Sequence, residues 1–250
     1  MSNENRERCD AVNDSLNLIQ ITDGLTFGTD ALLLAGYAGK GYSRGCELGG
    51  GSGIISMLLL TRGKLALATS VEIQEEYARL TERNAELNGL TSLTSVCADI
   101  RDYKPGVEFD LVYTNPPYMK TDSGKANSLS NKNAARHEVN GDISDFAAAA
   151  ERLLRFGGTF LAVYRPDRLT DLLVAMRHHR LEPKRVTFVH ADTNSESSMV
   201  LVEARRGGGV GLMLTRPFII YTDKSHSEYT EDMKYIMDCG SFPPDFRRQR

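Results

Sequence analysis

The run Asn115-Pro116-Pro117-Tyr118 follows directly on the apolar Leu111-Val112-Tyr113, so a buried strand ends on two residues that have no backbone N–H. The proline after it pushes Asn115 into an extended conformation, and the fixed φ of Pro116 and Pro117 makes the exit stiff. A stiff exit aims two acceptors, the Asn115 side-chain carbonyl and the Pro116 backbone carbonyl, at one point. A planar NH2 group placed there donates to both, and Tyr118 supplies a face on which a flat substrate stacks. Holding both hydrogens helps to pyramidalise the nitrogen and directs its lone pair at an electrophilic carbon, so alignment and electrostatics suffice without a histidine base or a metal. The motif specifies a planar amino group, which adenine, guanine and a glutamine amide all carry.

A second constellation lies upstream in ELGGGSGII, residues 47–55. Gly49, Gly51 and Gly53 let the backbone approach a ligand closely, and a following helix would offer its positive end. A dinucleotide fingerprint needs a third glycine where Ile54 stands, and the G-K-[ST] of a P-loop is absent. What remains is E-x-G-x-G-x-G with Glu47 at its head. Two further acids end strand-like runs, Glu72 in SVEIQ and Asp99 in CADI. An ionised carboxylate accepts only, so the first suits a pair of sugar hydroxyls and the second an exocyclic amine. Ile73 and Ile100 stand beside them, ready to flank a flat ring. Each acid alone reads more readily as a helix cap than as a ligand; with the glycine pattern they point to a nucleoside-bearing cofactor.

These residues need a frame that brings them to one edge. Strands are expected at Cys46–Leu48, Leu67–Val71, Leu93–Cys97, Phe109–Thr114, Thr159–Val163, Arg185–His190 and Met199–Glu203. Helices are expected between them at Ile54–Thr61, Gln74–Leu87, Ser144–Leu154 and Arg168–His179. Strand-helix alternation implies parallel strands joined by right-handed crossovers. The last two strands, separated only by a loop, should pair antiparallel at one edge. The fold class is α/β: a seven-stranded, mostly parallel sheet with helices on both faces. Ligands then collect at the carboxyl ends of the strands. Residues 1–14 read as frayed. LNLIQI (16–21) reads as a short strand, Thr29-Asp30 as a helix start, and Met119–Gly141 as a long functional or disordered loop. A short polar helix is expected near residues 228–238.

Composition excludes little. Of 250 residues, 41% are hydrophobic and 25% charged, which suits a globular domain. No apolar run approaches the ~20 residues of a membrane helix, and the polar N-terminus does not read as a signal peptide, so a cytoplasmic protein without membrane association is expected. Four scattered cysteines form no metal-ligand spacing, and no metal is expected. The net charge of −3 does not announce a nucleic-acid binder; such binding would rest on local patches.

Several segments together resemble a known family. They are DGLTFGTDALLLA (23–35), ELGGGSG (47–53), NPPY (115–118), RHE (136–138) and YRPDRLTDLLVAMRHHRLEPKRVTFVH (164–190). The E-x-G-x-G-x-G run resembles the first motif of class I S-adenosylmethionine-dependent methyltransferases, which have a Rossmann-like fold. From about residue 16 to 235 the chain resembles the NPPY-containing "small domain" type. The likeness is nearest to bacterial adenine-N6 methyltransferases acting on the adenine beside the anticodon of a valine tRNA. The resemblance implies S-adenosylmethionine as cofactor and tRNA as partner. It implies Phe27, Thr29 and Asp30 as a wall of the cofactor pocket. Glu47, Gly49, Gly51, Gly53, Glu72, Ile73, Asp99, Ile100 and Asn115 become cofactor contacts, and Asn115, Pro116, Pro117 and Tyr118 the target-amine site. Lys120, Lys125, Lys132, Arg136 and His137, with Lys184 and Arg185, would then contact RNA phosphates. The division expected is an N-terminal extension and pocket wall (1–40), the catalytic domain (41–206), and a C-terminal strand and tail packed on it (207–250). Glutamine-amide methylation of a release factor, guanine-N2 methylation of rRNA and a non-catalytic RNA-binding module remain as alternatives.

Overall fold

Residues 7–22, 24, 27–116 and 141–246 are described by the computed structural model of this chain. Polar N-terminal residues Glu7–Asn13 (β1) and the alternating Leu16–Ile21 (β2) form an antiparallel hairpin. Next come helix α1 (Thr29–Tyr37), β3 (Tyr42–Leu48), α2 (Ile54–Thr61), β4 (Leu65–Glu72), α3 (Glu75–Leu87), β5 (Leu93–Cys97) and β6 (Phe109–Thr114). After residue 141 follow α4 (Ile143–Leu153), β7 (Leu154–Tyr164), α5 (Leu169–His178), β8 (Leu181–His190) and β9 (Ser197–Arg206). Two short strands, β10 (Met213–Leu214) and β11 (Phe218–Ile219), precede α6 (Glu231–Cys239).

Local chemistry accounts for these boundaries. One side of α3 buries Tyr77, Leu80, Thr81, Asn84 and Ala85, while its glutamates and arginines face water. It stops at Asn88-Gly89, where Gly89 has φ +64°. Asp142 and Asp145 form a reciprocal capping box that starts α4.

The main sheet runs β5-β4-β3-β6-β7-β9-β8, and β10 and β11 both pair with the outer side of β8. Strands β3 to β7 are parallel neighbours, while β9 is antiparallel to both β7 and β8. The expected antiparallel pairing of the last two long strands is present, with β9 inserted between β7 and β8 and not at the rim. Side chains alternate across the sheet, as the pleat requires. Leu111, Tyr113, Leu161 and Val163 enter a core with α1 and α2, whereas Val112, Phe160 and Ala162 enter a second core with α4 and α5.

The expectation of a frayed start is corrected for residues 7–13. Arg83 forms a bidentate pair with Glu7, at 2.7 and 2.8 Å, tying β1 to α3. Asn84 of α3 accepts from Ile19 N (2.7 Å) and donates to Ile19 O, and Asn88 does the same for Asn17. Amide side chains thus act as a mock strand along the free edge of β2. The hairpin is thereby fixed against the helix that supports the glycine loop.

Candidate active site

Chain order reverses at β3, which has β4 on one side and β6 on the other. The crevice at that switch point, beyond the carboxyl ends of β3 and β6, is where open α/β sheets take ligands. Gly49–Gly53 leaves β3 here and Asn115 leaves β6 here. Glu72 ends β4, and Asp99 stands two residues beyond the end of β5. Asp30 opens α1 at the same crevice.

Positive φ at Gly49 (+72°), Gly51 (+55°) and Gly53 (+79°) lets the loop turn tightly into α2. Its scaffold is built from behind. Thr81 Oγ1 donates to Gly51 O (2.9 Å) and Asn84 Nδ2 to Ser52 O (3.1 Å), both from α3. A Cβ on Gly50 would fall 1.8 Å from Ser70 Oγ, so the loop is pressed onto β4.

The acids are placed differently from one another. Glu72 accepts from Gly51 N (3.1 Å) with one oxygen and from Gln74 N (2.9 Å) with the other, so each oxygen keeps acceptor capacity for a hydroxyl. Asp99 is partly buried and paired to the Arg101 guanidinium, which holds its carboxyl below the usual range. Ile73 is partly exposed beside Glu72, whereas Ile100 is buried in the second core.

The resemblance makes Glu47 a cofactor contact, and the structure places its carboxyl against the first turn of α2. It is 1% exposed, and its Oε2 accepts from Ser56 N (3.2 Å) and Ser56 Oγ (2.5 Å) in the first turn of α2. Because the serine hydroxyl donates to the carboxylate, the Tyr113 hydroxyl, 2.6 Å away, donates to the serine. Burial pushes the Glu47 carboxyl up to about 8, opposed by the two Ser56 hydrogen bonds. Glu47 therefore caps a helix whose N-cap, Gly53, has no side chain to do so.

At Asn115, Nδ2 donates to Asp30 Oδ2 at 2.7 Å. Its Oδ1 is removed from solvent and has no hydrogen-bond partner among the described residues. Such an acceptor costs about 1–3 kcal/mol until a donor arrives. Pro116 is buried at the strand exit. Phe27 and Thr29 stand beside Asp30; Phe27 N donates to Gln20, and Thr29 with Asp30 lines an open groove of about 810 Å³ shared with Arg165, Asp167, Ser197 and Ser198. Pro117, Tyr118, Lys120, Lys125, Lys132, Arg136 and His137 lie outside the described residues.

The second basic cluster does not reach this crevice. Arg185 is 5% exposed, with its guanidinium 3.6 Å above the Tyr37 ring, donating to Tyr37 O, Phe246 O and Glu203. Lys184 donates to Gly209 O. Both sit in the first half of β8, away from its carboxyl end, while Arg177 and Arg180 are paired with Glu182 and Glu151. A basic run reads as a phosphate surface only when it faces outward; here apolar packing and an internal carboxylate claim Arg185.

The glycine loop, the unspent acceptor capacity of Glu72 and the orphaned Asn115 Oδ1 together fit a nucleoside cofactor delivered to an amine. Comparison with known proteins points the same way. Residues 22–174 match the family model "Methyltransferase small domain". A "tRNA1(Val) (adenine(37)-N6)-methyltransferase" of Pedobacter heparinus is 31% identical over 176 residues, 68% of this chain and 73% of that protein. A protein of the same name from Bacteroides fragilis is 27% identical over 216 residues, 77% of this chain and 90% of its own length. In fold, the chain is similar to a "predicted O-methyltransferase" of Agrobacterium tumefaciens (TM-score 0.69, 21% identity, covering 86% of this chain and 98% of that one). It is also similar to a 16S rRNA N2 G1207 methyltransferase of T. thermophilus solved with AdoMet and guanosine (TM-score 0.57, 16% identity, covering 80% and 50%).

Proposed function

From the premise that this chain belongs to the methyltransferase small-domain family, we propose that it methylates N6 of the anticodon-flanking adenine of a valine tRNA. It is an S-adenosylmethionine-dependent methyltransferase. When bound, S-adenosylmethionine would supply an electrophilic methyl carbon for the lone pair of the target amine, whose surplus proton would leave to water.

The chain's own residues do the rest. The loop of Gly49, Gly51 and Gly53 gives close backbone approach, and Glu72 takes the ribose hydroxyls with its remaining lone pairs. Asp99 would accept from the cofactor's adenine in place of one Arg101 hydrogen bond, and Ile73 would flank the ring. Ile100 supports that strand end from within the core, and Glu47 holds α2, and through it the loop, in place. Asn115 Oδ1 accepts from the target NH2, with the Pro116 carbonyl as second acceptor. Tyr118 of the same motif gives the unstacked base a stacking face. Thr29, Asp30 and the groove beside them form the wall along which the nucleotide enters.

The buried Oδ1 of Asn115 carries this reading: it is an acceptor for which no described residue provides a donor. The test is transfer of labelled methyl to unmodified tRNA followed by nucleoside analysis. N6-methyladenosine in valine tRNA is the expected product; methylguanosine in rRNA or methylglutamine in protein would overturn the proposed substrate.

A further inference from the structure

We propose that Asp30 is a positioning residue for methyl transfer: its carboxylate fixes the orientation of the Asn115 amide, so that oxygen and not nitrogen meets the target amine. This rests on Asn115 being the acceptor for that amine.

The two ends of an asparagine side chain have nearly the same shape, and its terminal torsion is broad and roughly two-fold. Turned the wrong way, Asn115 would present its own NH2 to the substrate NH2, and two donors repel. Something must choose between the two orientations. An ionised carboxylate only accepts. With Asp30 Oδ2 2.7 Å from Asn115 Nδ2, the flipped amide would set oxygen against oxygen. The same contact leaves Oδ1 as the orphaned atom.

Three features hold the carboxylate still. Its other oxygen, Oδ1, accepts from Ala31 N (2.9 Å), in the first turn of α1, where the helix dipole favours negative charge. Gly28 gives it room. The backbone there is extended, a conformation any residue adopts, but a Cβ would fall 2.7 Å from Asp30 Oδ1. The far end of α1 is anchored by Lys64 Nζ, which donates to Ala35 O, Gly36 O and Ala38 O at 2.7–2.9 Å. A first-turn acid serving the dipole alone would need neither the reach to Asn115 nor the glycine. The charge also has a chemical effect. Drawing on the Nδ2 hydrogen polarises the amide and makes Oδ1 a stronger acceptor, as the amine hydrogens become more acidic during attack.

Exchanging the two residues gives the test, using the full chain, labelled S-adenosylmethionine and an unmodified valine tRNA transcript. Asp30→Ala should lower kcat about 10- to 100-fold while S-adenosylmethionine affinity stays within about 3-fold. Asn115→Asp sets two carboxylates against each other and should lose about 100-fold or more. Combining it with Asp30→Asn restores a donor–acceptor pair with the roles exchanged, and should recover about 10-fold or more over Asn115→Asp alone. A side chain that merely supports packing gives no such recovery. In 15N-labelled protein, the Asn115 amide resonances, assigned by their loss in Asn115→Ala, should move in Asp30→Ala, which reads the contact without any substrate. The proposal is overturned if Asp30→Ala keeps kcat within about 2-fold, if it abolishes cofactor binding, if those resonances do not move, or if the exchanged pair is no better than Asn115→Asp. Activity retained in Asn115→Ala would overturn the acceptor reading itself. A dead Asn115→Ala beside an unaffected Asp30→Ala would overturn only the role given to Asp30.

Discussion

Glu47 and Asn115 sit on neighbouring strands at the same end of the sheet, yet their side chains have opposite fates. Glu47 is buried and hydrogen-bonded, with its carboxyl pushed up to about 8, whereas Asn115 carries an acceptor without a donor among the described residues. Removing that acceptor should abolish chemistry and spare binding. Asn115→Ala is expected to lower kcat about 100-fold or more with cofactor affinity within about 3-fold, measured by single-turnover methylation and calorimetry. Glu47 makes a prediction about pH. Burial pushes its carboxyl up to about 8 in the folded chain, from an ordinary value of 4.5. Between those values the folded chain keeps a proton that the unfolded chain has released. The stability Glu47 contributes is therefore complete below its unfolded pKa and is lost as pH rises through about 8. Glu47→Gln keeps the shape of the neutral acid and should flatten that decline; denaturant unfolding at pH 6 and pH 9 compares the two slopes, and parallel slopes would refute the assignment.

At the level of elements, α3 is the keel of the site. Thr81 and Asn84 hold the glycine loop on one side, and Asn84 and Asn88 hold β2 on the other. Asn84 is wholly buried, so Asn84→Leu strips partners from Ile19 and Ser52 at once. It should cost about 2–4 kcal/mol of stability and weaken cofactor binding in parallel, read by thermal shift with and without S-adenosylmethionine. Long strands and amphipathic helices such as β6 and α3 were legible in the sequence because their periodicity is strong. The hairpin strand β1 was not, because ERCDAVN has no apolar alternation and owes its order to partners such as Arg83, 76 positions away. For the same reason Asp30 read only as a helix start and pocket wall: its partner lies 85 positions downstream, and spacing carries no trace of that contact. Glu47 was legible as part of a motif, but its direction, towards Ser56, follows from the turn into α2, which residue order does not reveal.

For the whole molecule, the buried Arg185 separates charge that serves folding from charge that serves RNA. Basic residues 177–185 read as a phosphate surface in sequence; Arg185 is spent inside the fold, while Arg177 and Arg180 are exposed and pair with Glu182 and Glu151. Arg185→Ala should destabilise the chain by about 3–5 kcal/mol, because it leaves Glu203 and two carbonyls unpaired. It should leave the salt dependence of tRNA binding unchanged, whereas loss of a true phosphate contact reduces that slope by about 1. Arg185 has a further consequence through its bond to Phe246, 61 positions later in the chain. The same guanidinium closes the last turn of the helix that carries Asp30, so one side chain of β8 ties that helix to the residues around 246, and a chain cut short of Phe246 leaves this clamp with one carbonyl fewer.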